Sequence, residues 1–174
     1  MKFLAFGAST SKASINKRFV AYIGTYFEGT EVIDLNDFEL PVYSIDLEEE
    51  SGIPENVIRF YDKLSAADII IISLAEHNGT YTAAFKNLFD WTSRYKSKLF
   101  ESKRLILAAT SPGQRGGKGV MDAALLRFPI HGADILGHFC FPKFQENYNE
   151  IEGITNPELQ KEFAQFITDI KSKI

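Results

Sequence analysis

A chain of 174 residues makes one domain, long enough to bury roughly 70% of the surface its unfolded form exposes without help from disulfides or metal. Hydrophobic residues at 45% and charged residues at 24% exclude a disordered chain, and a net charge of −4 argues against a general nucleic-acid binder. The single cysteine, Cys140, excludes an internal disulfide and multi-cysteine metal sites, and fits a reducing, cytoplasmic setting. No stretch approaches the roughly 18 apolar residues of a membrane helix, and Met1–Gly7 is too short for a signal-peptide core.

Lys2 to Gly7 is the first short apolar run and reads as a strand. Ile15, Phe19, Tyr22, Ile23 and Tyr26 then follow at helical spacing. Glu31 to Leu35 is a second strand, and Pro54 opens a helix to about Ser65. Asp68 to Ser73 is the clearest strand, since four consecutive isoleucines suit a strand covered on both faces. Ala84, Phe85, Leu88 and Phe89 mark the next helix, and Arg104 to Thr110 the next strand. A helix over about Gly117 to Phe128 must stop by Pro129. Ala133 to Phe139 is the fifth strand. The last helix carries the stripe Leu159, Phe163, Phe166, Ile167, Ile170 and Ile174, with Asn156 as its cap and Pro157 at its first position. Two connections are long, Asn36 to Ile53 and Cys140 to Thr155; Asp46 and Glu48 to Glu50 make the first an acidic, solvated loop.

Alternating strands and helices predict a single domain over 1–174 of α/β class. Five strands in this length fit a three-layer, doubly wound parallel sheet of flavodoxin type, order 2-1-3-4-5, with right-handed crossovers. Ligands in such folds sit beyond the C-terminal ends of the strands, where the strand order reverses. Three turns lie there. The first, Gly7 to Asn16, is rich in hydroxyls and opens a helix near Ser14. Unpaired amides and the helix dipole make it a plausible phosphate cradle, although Ser14 also suits a plain helix cap. It matches neither a Walker loop nor G-x-G-x-x-G. The second turn, Ala75 to Thr82, holds Asn78-Gly79, where positive φ is available and amides can meet the polar edge of a flat ring. The third, Thr110 to Gly119, has four glycines in seven residues, which predicts close approach of backbone to a ligand. One phosphate and one flat ring system fit these turns together, and that describes FMN. His131 and His138 flank the fifth strand and read as structural, and Cys140 as a small buried residue.

These turns resemble those of the NADPH-dependent FMN reductase family. Ser9, Ser14 and Asn16 match its G-S-x-R-x-x-S-x-N loop, and Glu76-His77-Asn78-Gly79 matches its P-E-Y-N-G loop. Lys86-Asn87-Leu88-Phe89-Asp90-Trp91 matches K-N-x-x-D-W, and Ser111-Pro112-Gly113-Gln114-Arg115-Gly116-Gly117 matches S-P-G-x-x-G-G. Leu40 to Glu48 resembles its P-x-Y-x-x-D-L-E stretch.

The resemblance implies that Ser9, Ser11, Ser14, Ile15 and Asn16 hold the FMN phosphate. It implies that Glu76, His77, Asn78 and Gly79 line the isoalloxazine, and that Ser111, Gly113, Gly116 and Gly117 close its other side. It further implies hydride transfer from NADPH or NADH through FMN to a small acceptor by a ping-pong mechanism, with no strict catalytic side chain. A homodimer or homotetramer is implied as well. Three positions depart from the pattern. Ser11 replaces a phosphate-binding arginine, a contact worth about 1.5–3 kcal/mol unless Lys12 substitutes. His77 replaces a tyrosine and brings sensitivity to pH near neutrality. Ala75 replaces a stiffening proline. Lys12, Arg115 and Lys118 are the candidate cations for an NADPH 2′-phosphate. Two rival readings are an electron-carrier flavodoxin, whose T/S-x-T-G-x-T loop is missing, and a relative that has lost FMN.

Overall fold

The computed structural model describes residues 1–174. Its main sheet contains β1 (Phe3–Ala8), β2 (Glu31–Val32), β3 (Ile69–Leu74), β6 (Lys103–Thr110) and β7 (Ala133–Phe141). All are parallel, in the order β2-β1-β3-β6-β7. With the two hairpins noted below set aside, this is the predicted order 2-1-3-4-5.

Residues of each central strand alternate between two cores. Leu4, Phe6, Ile70, Ile72, Leu105 and Leu107 face one side, where α3 (Glu55–Ala66), α4 (Ala83–Tyr95) and α5 (Lys118–Arg127) supply Phe60, Phe85, Phe89 and Met121. Phe3, Ala5, Ile69, Ile71 and Ile106 face the other, covered by α1 (Ile15–Gly24) and α7 (Pro157–Lys171) through Phe19, Ile23, Phe163 and Ile167. Asn156 caps α7 by accepting from the amides of Glu158 and Leu159. Each central strand is thus buried on both faces, as its apolar run requires.

Gly7 sets the distance between β1 and α1. A Cβ there would lie 2.6 Å from the Lys17 amide nitrogen and 2.8 Å from the carbonyl carbon of Asn16, both main-chain atoms. Only hydrogen at this position lets the helix start close to the strand end.

The long connections hold more structure than the sequence reading expects. The second strand is just two residues, extended by one bond from the Ile33 amide to the Ala5 carbonyl at 2.9 Å. The Asp34 carboxylate then accepts from the Asn36 amide at 3.0 Å and turns the chain into a short 3-10 helix, Leu35–Phe38, which buries Leu35 and Phe38. The acidic stretch is helix α2 (Ile45–Ser51), not an irregular loop, capped by Ser44. Glu48 is not merely solvated: Arg94 and Tyr43 donate to its carboxylate, both at 2.8 Å, and hold it below the usual carboxylate range. Between β3 and α4, β4 (Glu76–His77) and β5 (Thr80–Tyr81) form a hairpin. The connection after β7 folds into α6 (Phe144–Asn147) and a second hairpin, β8 (Tyr148–Asn149) with β9 (Gly153–Ile154).

Strand β7 is an edge of the sheet. It carries a bulge, since Leu105 pairs Ile135 while Ile106 pairs Gly137. The carbonyl of Leu136, the extra residue, accepts from Lys173 Nζ at 2.5 Å.

Candidate active site

The turns after β1, β3 and β6 meet at the C-terminal end of the sheet, and three sets of hydrogen bonds tie them together. Thr82 caps α4 and also donates its hydroxyl to the Ala8 carbonyl at 3.0 Å, joining the first turn to the second. The Glu76 carboxylate accepts from the Val120 amide at 2.9 Å, joining the second to the third. Asn16 joins the first to the third: its amide donates to the Thr110 carbonyl and its oxygen accepts from the Thr110 amide, both at 3.1 Å. The same oxygen accepts from the Ser73 hydroxyl at 2.8 Å. Asn16 is 2% exposed, so this network is sheltered from water.

Glycines let the turns pack this tightly. At Gly119 a Cβ would lie 2.8 Å from both Glu76 Oε2 and the Gly79 carbonyl oxygen, so only glycine lets the second and third turns touch. Gly116 and Gly117 have φ of +57° and +82° and are buried against Phe141 and Ala109. The sequence reading expects these glycines to admit a ligand to the backbone; their close approaches are instead to the protein's own chain. Gly113 is the open one, exposed at the loop tip.

The sequence-predicted residues therefore divide. Asn16 spends its side chain on the network, leaving only its main-chain amide for a ligand. Ser14 is buried and accepts from the Lys17 amide at 3.2 Å, the role of a helix cap. Ser9 is also buried and accepts from the Ser11 amide at 3.2 Å. The hydroxyls of Thr10 and Ser11 are exposed, and at the start of α1 the amides of Ile15 and Asn16 have no acceptor. His77, Asn78 and Gly79 are exposed at the hairpin tip, and Asn78 and Gly79 take φ of 53° and 80° as a two-residue turn demands. Ser111 donates to the Gly113 carbonyl at 3.3 Å. Amides without acceptors at a helix start, beside exposed hydroxyls, suit a phosphate; the exposed hairpin tip and Gly113 suit the edge of a flat ring.

The charges follow the same division. Lys17 is paired with Asp34, Arg18 with Glu150 and Lys118 with Asp122, whereas Lys12 and Arg115 are exposed and form no ion pair. Burial pushes the Asp34 carboxyl up, but hydrogen bonds from Lys17 and Asn36 outweigh it and leave the group below its ordinary range. Burial pushes the Cys140 thiol up, so it stays protonated beside the strand end. Trp91 is fully buried and donates to the Pro41 carbonyl at 2.9 Å; with Asn87 it clips the segment before α2 to α4. His131 is structural, its Nδ1 bonded to the Ser97 carbonyl at 2.7 Å. The hairpin is signalled only by Asn78-Gly79, and the Glu76 contact with Val120 and the Asn16 network have no sequence signal, because their partners lie 44 to 94 residues away.

Because Glu76 caps α5 across two turns, Glu76→Ala should lower stability by about 1 kcal/mol in urea unfolding. Glu76→Gln, which keeps an acceptor oxygen, should recover most of that loss. An alanine variant that unfolds like the wild type would mean that the turns are not held together at this contact.

A doubly wound parallel sheet with acceptor-free amides at a helix start by its switch point and an exposed hairpin beside it is a flavodoxin-like protein. The family model described as NADPH-dependent FMN reductase matches residues 1–146, and the chain belongs to that family of oxidoreductases, which use FMN and a nicotinamide reductant. Among curated proteins, it is 28% identical to the MG342 homolog of Mycoplasma pneumoniae, over 95% of this chain and 94% of that protein. It is 29% identical to the quinone reductase of Escherichia coli over 45% of this chain; that match spans 42% of the reductase. Among solved structures, FerB, a flavoenzyme NAD(P)H:(acceptor) oxidoreductase from Paracoccus denitrificans, shares the fold. Its TM-score is 0.75 at 24% identity, over 98% of this chain and 97% of that one.

Proposed function

We propose that the protein is an FMN-dependent NAD(P)H oxidoreductase that reduces a small acceptor such as a quinone, a free flavin, or a nitro or azo compound. The three interlocked turns carry this reading: they hold a row of unspent ligand groups in fixed relation at the switch point. The amides of Ile15 and Asn16 and the hydroxyls of Thr10 and Ser11 receive the phosphate. The unpaired Lys12 supplies the charge that the family draws from an arginine at position 11. The tip at His77, Asn78 and Gly79 meets the polar edge of the ring, and Gly113 and Ser111 border its other side. Bound FMN supplies the two-electron relay between reductant and acceptor, which share one pocket in turn. The chain contributes position, amide donors and a rigid frame. It works as a homodimer or homotetramer, and its lone cysteine supports a cytoplasmic setting.

An absorbance titration with FMN tests the reading. Bands near 450 nm should shift on binding, bleach with NADH or NADPH and return in air. Bound FMN that no nicotinamide bleaches would replace the reductase with an electron carrier, and no binding would make the chain a relative that has lost its flavin. Lys12→Ala should weaken FMN about tenfold or more, the scale of one charge-assisted phosphate contact. Unchanged affinity in that variant would remove Lys12 from the site.

A further inference from the structure

Helix α2 differs from the other long helices in having no buried residue. The segment that leads into it is nevertheless fixed on α4. Trp91 and Asn87 both donate to the Pro41 carbonyl at 2.9 Å, the Asn87 oxygen accepts from the Tyr43 amide at 2.9 Å, and the Tyr43 ring meets the Trp91 ring edge-on. Arg94 and Tyr43 then hold Glu48 in the middle of the helix. The result is a rigid ledge with apolar residues on its outside: Val42 is 84% exposed and Ile45 49%. Tyr95, next to Arg94 in the last turn of α4, is 42% exposed and adds to the patch.

A helix of seven residues has little stability of its own and depends on packing of an apolar face. The charges of α2 increase its need for a cover. Asp46, Glu49 and Glu50 form no ion pair. Asp46 and Glu50 are like charges at i,i+4 spacing, and Glu49 and Glu50 stand in the last turn, at the negative end of the helix dipole. Lys96 and Lys98, exposed directly after Tyr95, form no ion pair either. We infer that a second copy of the chain covers this face, related to the first by a two-fold axis through the patch of Val42, Ile45 and Tyr95. A closed pair uses one patch twice, so the patch must complement itself. Here acids follow Ile45 in α2 and lysines follow Tyr95 at the end of α4, and the Arg94–Glu48 pair keeps the two stretches side by side. The two-fold axis sets α2 of each copy against Lys96 and Lys98 of the other. A partner of one sign would satisfy one stretch and repel the other. An apolar centre with a tyrosine and a charged rim is also the usual anatomy of an interface. The inference rests on the homo-oligomer proposed above and names its surface; it does not depend on the flavin.

Sedimentation velocity on the full chain tests this. The wild type should be at least a dimer at micromolar concentration, and a variant with Val42→Asp and Ile45→Asp should have half the assembled mass. Glu49→Lys with Glu50→Lys in one variant, and Lys96→Glu with Lys98→Glu in another, should each weaken self-association about tenfold or more through like-charge contacts. Mixed in equal amounts, the two charge-reversed variants should pair with each other at close to wild-type strength, a recovery that neither a folding defect nor a distant effect can produce. An apolar double variant that keeps the wild-type mass, charge-reversed variants that self-associate as the wild type does, or charge-reversed variants that stay apart when mixed would overturn the inference and leave the homo-oligomer to another surface. A wild type that is monomeric at high-micromolar concentration would overturn both.

Discussion

Asn16→Leu is expected to cost about 4 kcal/mol in urea unfolding, a large share of the roughly 5–15 kcal/mol that holds a domain of this size together. Leucine fills a similar volume, so the loss comes from hydrogen bonds rather than from a cavity. It would leave the Thr110 amide, the Thr110 carbonyl and the Ser73 hydroxyl buried without partners, at about 1–3 kcal/mol each if none finds another. FMN affinity should fall in the same variant, because the first and third turns lose their only side-chain link. A cost under about 1 kcal/mol would show that water or small shifts satisfy the three groups, and the network would lose its role as the frame of the site.

Gly7→Ala is expected to cost about 2–3 kcal/mol despite adding a single methyl group, at the upper end for overpacking. The neighbours of the new Cβ, at 2.6–2.8 Å, are main-chain atoms of Asn16 and Lys17, so no side chain can rotate away. Helix α1 must lift from β1, which carries Asn16 and the amides of the phosphate turn with it. The two substitutions are therefore coupled. The double variant should lose less stability than the two single losses added together, since a helix already lifted has already strained the Asn16 bonds. Additive losses in a double-mutant cycle would mean that α1 stays in place and the strain is absorbed elsewhere.

What could be read from the sequence depended on the range of the interaction that decides each feature. Asp68 to Ser73 announced a central strand because its apolar run is local, and Asn156-Pro157 announced the start of α7 for the same reason. Asn78-Gly79 announced a turn, although not that two short strands flank it. The acidic stretch misled because its charge suggested solvent, whereas Tyr43 and Arg94, the latter 46 residues away, give Glu48 its partners. Glycine-rich sequence after β6 correctly marked unusual backbone, but composition cannot distinguish backbone opened to a ligand from backbone packed on Phe141 and Ala109. Asn16 is the sharpest case. Its residue type suits both a ligand contact and a buried staple, and its main partner, Thr110, lies at the end of another strand.

The bulge in β7 bears on how copies of this chain can meet. An edge strand with regular spacing offers a neighbour a ladder of free amides and carbonyls, and two such edges readily fuse into one continuous sheet. Here the ladder is broken at Leu136, and the carbonyl that the bulge exposes is already taken by Lys173. The opposite edge, β2, is two residues long and offers almost nothing to pair with. Growth of the sheet from one molecule into the next is disfavoured at both margins, which leaves each sheet a closed unit.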